Sequence, residues 1–219
     1  TVGPLVELWG FGARGRITHA PDDAQQEAVR AYVGIDKIVL DGLALRKLEP
    51  RVAIDLSTIA KGYGVNRLAE ILLAHGYQSF MVDIGGDMRV GAAKPSGLWK
   101  IAVEKPVSTE RSVQRILALE NMALATSGDY RNYFEEDGVR YSHLIDPRTG
   151  EPIQHKTVSS TVLHPDAMTA DGYATTLNVL PADEALAFAN QHQLAVLLIV
   201  KTDQGFEERY SEAFIPFLN

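Results

Sequence analysis

Asp171 and Thr175 lie four residues apart in Ala167-Met168-Thr169-Ala170-Asp171-Gly172-Tyr173-Ala174-Thr175-Thr176-Leu177, a stretch of helical character. That spacing puts a carboxylate and a hydroxyl on one helix face. Such a pair suits a hard cation such as Mg²⁺, which takes few protein ligands, keeps waters and shares phosphate oxygens. Ala167, Ala170, Ala174 and Leu177 read as inward-facing, so an inward Asp171 needs a partner. A metal is one; a purely structural bond to the Thr175 hydroxyl is the other.

A second oxygen-rich segment stands far upstream, Asp55-Leu56-Ser57-Thr58-Ile59-Ala60-Lys61-Gly62. Asp55 ends the strand-like Val52-Ala53-Ile54, and its carboxylate can accept bonds from a ligand or from first-turn amides. Ser57 and Thr58 are candidate caps, so a plain N-cap cluster is the alternative. Lys61 falls in the first turn, where a cation opposes the helix dipole and an anionic ligand would give it a purpose. Asp83-Ile84-Gly85-Gly86-Asp87 and Thr126-Ser127-Gly128-Asp129-Tyr130 could offer backbone amides or hydroxyls to a phosphate, or could be ordinary turns. His143, between Ser142 and the Asp146-Pro147-Arg148-Thr149-Gly150 turn, could take a proton from an attacking hydroxyl, or be structural. The remaining histidines form no zinc pattern.

The elements that must hold these residues follow from periodicity. Helices are expected over about Asp22 to Val33, Ile59 to His75, Ala167 to Leu180 and Ala182 to His192; Gly76 ends the second, with Leu68, Ile71 and Leu72 as its apolar stripe. Strands are expected over Lys37 to Leu40, Ala44 to Leu48, Ser79 to Ile84, Trp99 to Val103, Ile116 to Leu119, Thr157 to Leu163 and Ala195 to Val200. Asp41-Gly42 marks a hairpin. Meander-like neighbours without strict β-α alternation give an α+β class in a single domain over 1–219. The glycine-bearing segments are expected in loops carried by that scaffold.

Bulk properties limit the partners. The net charge of −7 and pI near 5.4, with no Lys/Arg cluster, argue against nucleic acid and anionic membrane surfaces. An anionic ligand must then be held by a metal, by amides or by a few placed cations. Absence of cysteine removes disulfides, thiolate nucleophiles and zinc-thiolate or iron–sulfur sites. No membrane-length apolar run is present. The opening Thr1-Val2-Gly3-Pro4-Leu5-Val6 reads as the middle of something, so an export signal or lipid anchor is expected upstream.

Taken together, the segments resemble the ApbE-type flavin transferases. The likeness rests on Thr1 to Val6 with Leu8-Trp9-Gly10-Phe11-Gly12, on Asp55 to Tyr63, Asp83 to Asp87, Ala125 to Tyr133, Ser142 to Pro152 and Ala170 to Thr175, all in order. It implies a T-fold-like arrangement of mixed sheets packed with helices, FAD as substrate and Mg²⁺ as cofactor. By position it implies flavin-nucleotide contacts at Asp55, Lys61 and Ile145, and a metal shell of the Thr58 main-chain carbonyl, Asp171 and Thr175. His143 falls on the family's catalytic histidine. The implied reaction moves FMN from FAD onto a Thr or Ser hydroxyl of an acceptor flavoprotein and releases AMP. A Mg²⁺-dependent FAD pyrophosphatase and a non-enzymatic FAD carrier need the same contacts. Family members carry a further N-terminal segment that helps enclose the flavin, so this chain is expected to be a truncated or processed form. The resemblance also implies membrane-bound redox subunits as acceptors and a lipid-anchored enzyme on the periplasmic side of the inner membrane.

Overall fold

A computed structural model describes residues 1–17, 19–107, 112–130 and 132–218. In chain order its elements are α1 (Gly3–Leu8), α2 (Asp23–Arg30), β1 (Ile38–Asp41), β2 (Ala44–Lys47), α3 (Ser57–Ala74), β3 (Met81–Ile84), β4 (Asp87–Val90), β5 (Trp99–Glu104), β6 (Val113–Leu119), β7 (Met122–Gly128), β8 (Tyr133–Glu136), β9 (Val139–Ser142), β10 (Ile145–Asp146), β11 (Glu151–Pro152), β12 (Thr157–His164), α4 (Ala167–Val179), α5 (Ala182–Gln191), β13 (Ala195–Thr202) and β14 (Gly205–Tyr210). All pairings between these strands are antiparallel, which fits the α+β class. Turn chemistry sets two of them. Gly42 opens the two-residue loop between Asp41 and Ala44 at φ +58. Gly85 and Gly86 join β3 to β4 at φ +60 and +94, values that side-chain-bearing residues rarely adopt.

These elements form two compact units: Thr1–Leu56 with Asn132–Gln154, and Ser57–Arg131 with His155–Asn219. The first unit is built on Leu5, Trp9 and Ile145, with Phe134 and Tyr141 packed against them. Trp9 satisfies its indole N–H on the Gly150 carbonyl at 2.9 Å and stacks on Tyr141, so a large ring is buried without an orphaned donor. Asp22 and Gln25 cap α2 reciprocally.

The second unit holds a six-stranded sheet ordered β14-β13-β12-β7-β4-β3. Adjacent residues serve opposite faces, as the period of two demands. Ala125, Val162, Val196 and Leu198 meet the small residues Ala170, Ala174, Ala185 and Ala189 of α4 and α5. Leu124, Leu163 and Leu197 face the other way, onto Ile101, Val103, Leu117, Leu119 and Phe214. β12 and β13 are thus buried on both sides, which is why they read as nearly unbroken buried runs. Among the described residues, no helix is long and apolar enough to cross a membrane.

Several expectations need correction. Val52-Ala53-Ile54 forms no strand. Thr126 to Gly128 is not a loop but the end of β7, because Gly128 pairs with Ser159 and completes a ladder. The stripe expected to bury α3 is partly outside: Leu68 and Ile71 are about half exposed, whereas Gly62, Val65, Asn66 and Ala69 are buried. Apolar residues are not confined to one face of α3, so period alone does not choose its buried side; close approach to α4 selects the side with small residues.

Candidate functional site

In the second unit, α3, α4 and the helix-facing side of β4 and β7 converge. Gly62 makes this possible. A Cβ there would lie 2.3 Å from the Ala167 carbonyl oxygen, so only glycine permits α3 and α4 to approach this closely. The Gly62 N–H donates to Asp171 Oδ2 at 2.9 Å. Within an α-helix the acceptor for that N–H is the carbonyl four residues back, which is that of Thr58. The Asp171 carboxylate is thereby tied to the turn of α3 that begins at Thr58.

Asp171 is 3% exposed, in agreement with its inward reading. The structural alternative for it is not what is seen: its hydrogen bond goes to Gly62, while the Thr175 hydroxyl meets Ser127 Oγ at 2.9 Å. Asp87, the first residue of β4, is 1% exposed and receives Lys61 Nζ at 2.6 Å. Lys61 therefore finds a protein carboxylate where only a ligand was expected, and it remains half-exposed. Burial pushes the Asp87 carboxyl up to about 6, a shift that Lys61 opposes and the nearby Asp171 reinforces. Asp87 and Ser127 are the two polar residues of this cluster that motif reading did not single out. Both lie inside quoted motifs, but a turn reading of those motifs hides which face of a strand they serve.

N-terminal to this cluster on α4, a clamp fixes the two helices. Asp166 caps α4 by accepting from the Thr169 N–H at 2.7 Å. From α3, the Asn66 carboxamide donates to Asp166 and accepts from the Ala167 N–H at 2.9 Å. The i, i+4 pair of α4 is thereby held in register with Gly62.

The oxygens on this side of α4 are the buried Asp171 carboxylate and the Thr175 hydroxyl, with a second buried carboxylate, Asp87, already paired to lysine. Among the described residues, no group of three or more His, Asp or Glu converges as a metal cage. A sparse, all-oxygen set of this kind fits Mg²⁺, which retains waters and shares ligand phosphate oxygens.

The other expected site residues belong to the first unit. His143 Nδ1 lies 3.0 Å from the Asn132 carbonyl; since a carbonyl only accepts, Nδ1 carries the hydrogen and Nε2 is the basic nitrogen of the neutral ring. Ile145 is packed with Leu5 and Trp9, which leaves its main chain for any ligand contact. Asp55 is exposed and lies next to Gly3, where a Cβ would meet the Asp55 Cβ at 3.2 Å.

The ApbE family profile matches residues 1–198. This chain belongs to the ApbE family. Among curated relatives, the FAD:protein FMN transferase of Vibrio cholerae is 51% identical over 220 residues, covering 100% of this chain and 66% of its own length. That of Haemophilus influenzae is 50% identical, over 98% of this chain and 64% of its own. Solved structures agree: the flavin transferase ApbE from Vibrio cholerae superposes with a TM-score of 0.90 at 49% identity, and covers 100% of this chain and 70% of that one. The ApbE protein from Thermotoga maritima gives 0.86 at 32% identity, over 100% and 71%. The chain thus spans a little under two thirds of the curated relatives' length. The ApbE fold expected from the resemblance is the fold observed.

Proposed function

We propose that this chain is the flavin-handling part of a Mg²⁺-dependent FAD:protein FMN transferase. The observation that carries the reading is the hydrogen bond from the Gly62 N–H, one turn after Thr58 on α3, to the buried Asp171, with Thr175 one turn along α4. In an ApbE chain that arrangement supports Thr58, Asp171 and Thr175 as the residues that hold the cation. When bound, Mg²⁺ neutralises charge on the pyrophosphate of FAD. Lys61, anchored by Asp87, adds a positive charge to a molecule that is otherwise acidic. Asp55 and the Ile145 main chain are assigned to the flavin nucleotide.

In the reaction, a Thr or Ser hydroxyl of the acceptor protein attacks the phosphorus on the FMN side of FAD. A new P–O bond forms, the pyrophosphate P–O bond breaks, and AMP leaves with the electron pair. His143 Nε2 takes the hydroxyl proton. Positioning and charge neutralisation supply most of the acceleration, as is usual for phosphoryl-type transfer. We place the full-length protein on the periplasmic side of the inner membrane, lipid-anchored, with a membrane-bound redox subunit as acceptor.

The test incubates the protein with FAD, Mg²⁺ and an acceptor flavoprotein carrying the target Thr or Ser, and reads the acceptor's intact mass and free AMP. A gain of one FMN with matching AMP supports transfer. AMP and FMN without acceptor modification would instead identify a pyrophosphatase. Binding of FAD that stays whole under both conditions would leave a carrier and overturn the transferase reading.

A further inference from the structure

A hydroxyl that coordinates a cation offers a lone pair and turns its hydrogen away from the metal. For Thr175 the available direction is Ser127 Oγ, 2.9 Å distant. Ser127 must then pass its own hydrogen onward, and the sheet register shows where. Ser160 stands directly opposite Ser127 on β12, so the two side chains share the helix-facing side of the sheet. Ser160 is fully buried, and its hydroxyl has no hydrogen-bond partner among the described residues.

One turn beyond Thr175, Asn178 occupies the same side of α4 and is also fully buried. Neither its Oδ1 nor its Nδ2 has a partner among the described residues. The end of α4 is held to the start of β12 by His155, whose Nε2 donates to the Val179 carbonyl at 3.0 Å. α4 packs on the helix-facing side of β12, so the buried Asn178 and Ser160 lie in the same layer between helix and sheet as the Ser127–Thr175 pair. Buried polar groups in native proteins are paired with protein or ordered water, and a carboxamide with both ends unpaired is costly.

We propose that Ser127, Ser160 and Asn178 form an outer relay that fixes Thr175 as a lone-pair donor to the cation. Thr175 donates to Ser127, and ordered water carries the chain from Ser127 to the unpaired Ser160 hydroxyl and the Asn178 carboxamide, whose Oδ1 is its final acceptor. These three are positioning residues; none touches the substrate. The inference rests on the cation reading above and extends it, because it explains three buried polar atoms that the cation set does not use. Partners of this outer kind set ligand orientation and commonly change metal affinity about 10–100-fold when removed.

The test measures Mn²⁺ binding to the purified 219-residue chain, from the electron paramagnetic resonance signal of free Mn²⁺, for wild type, Ser127→Ala, Ser127→Thr and Asn178→Leu. Far-UV circular dichroism and metal-free melting establish that each variant is folded. The relay requires Ser127→Ala and Asn178→Leu to bind Mn²⁺ about 10–100-fold more weakly, and Ser127→Thr, which keeps the hydroxyl, to recover most of the loss. If wild type binds Mn²⁺ and folded Ser127→Ala binds it equally well, the relay is overturned while the cation site stands. A wild type that binds no Mn²⁺ removes the cation site and the relay together. Should Asn178→Leu melt higher and bind Mn²⁺ unchanged, the carboxamide is a buried polar group without this role, and the relay fails at its end.

Discussion

At the scale of single residues, the site is a balance of three charges. Asp87 and Asp171 are both buried, and Lys61 compensates one of them. The Asp87 carboxyl is pushed from 3.8 up to about 6, mainly by burial. Between those values the folded state binds more protons than the unfolded one, so this group's stabilisation is present below the lower value and lost as pH rises through the upper. Asp87→Asn removes the titration. In chelator, the melting temperature of the variant relative to wild type is expected to climb from about pH 4 to about pH 7, by an amount equivalent to at most about 3 kcal/mol. A difference that stays flat over that range would show that Asp87 does not titrate there. Asp171→Ala is expected to abolish divalent-dependent turnover; persistence of activity would remove Asp171 from the cation set. For His143→Ala, transfer to the acceptor should fall about 10²–10⁴-fold with Mn²⁺ affinity unchanged, since a base acts on the hydroxyl proton and not on the cation. Equal loss of Mn²⁺ binding would make its role structural.

At the scale of elements, precision comes from how two helices are fastened. Asn66 and Asp166 lock the start of α4 onto α3, and Gly62 sets the distance between them. Gly62→Ala places a methyl against the Ala167 and Met168 main chain, where nothing flexible can yield. The cost should be about 1–3 kcal/mol of overpacking. For a chain of this size that is a fall of roughly 2–4 °C in melting temperature per kcal/mol. Mn²⁺ affinity should fall with it, because the Asp171 contact is made by that same residue. Unchanged melting would mean that the helices can separate freely. The same helices show how far the sequence could be read. The inward Asp171, the α3 and α4 spans and the Gly85-Gly86 turn follow from local pattern. The buried face of α3 does not, since Leu68 and Ile71 are as apolar as Val65 and only the α4 contact decides between them. β7 was hidden for a related reason: Thr126-Ser127-Gly128 has turn-like composition, and pairing to β12 overrides it. Lys61 reads from the sequence as an oddly placed cation, but its Asp87 partner depends on a strand face that short-range pattern cannot specify.

At the scale of the whole molecule, the expected cation residues and the outer relay all lie within the second unit, while His143, Ile145 and Asp55 belong to the first. A single stretch of sequence could not reveal this division, because each unit is assembled from two separated segments. The second unit has its own sheet, helices and two-sided core. Its chain also leaves and returns at one place: Gly128 and Ser159 are cross-strand partners, and the Asp129 N–H donates to the Val158 carbonyl at 3.3 Å. Antiparallel partners at that separation can be joined by a short hairpin loop. A chain of residues 57–219 in which residues 132–154 are replaced by a short glycine-containing turn should therefore fold alone. It should show a cooperative thermal transition and bind Mn²⁺ with an affinity near that of the parent chain. Because a ligand stabilises only the state that binds it, Mn²⁺ at a hundredfold excess over its dissociation constant should add about 2.7 kcal/mol to the stability of this shortened chain. FAD turnover should be absent, since the proposed base and two flavin contacts are gone. Cooperative folding without Mn²⁺ binding would mean that the cation site needs residues of the first unit. Failure to fold would mean that the core of the second unit is not sufficient by itself.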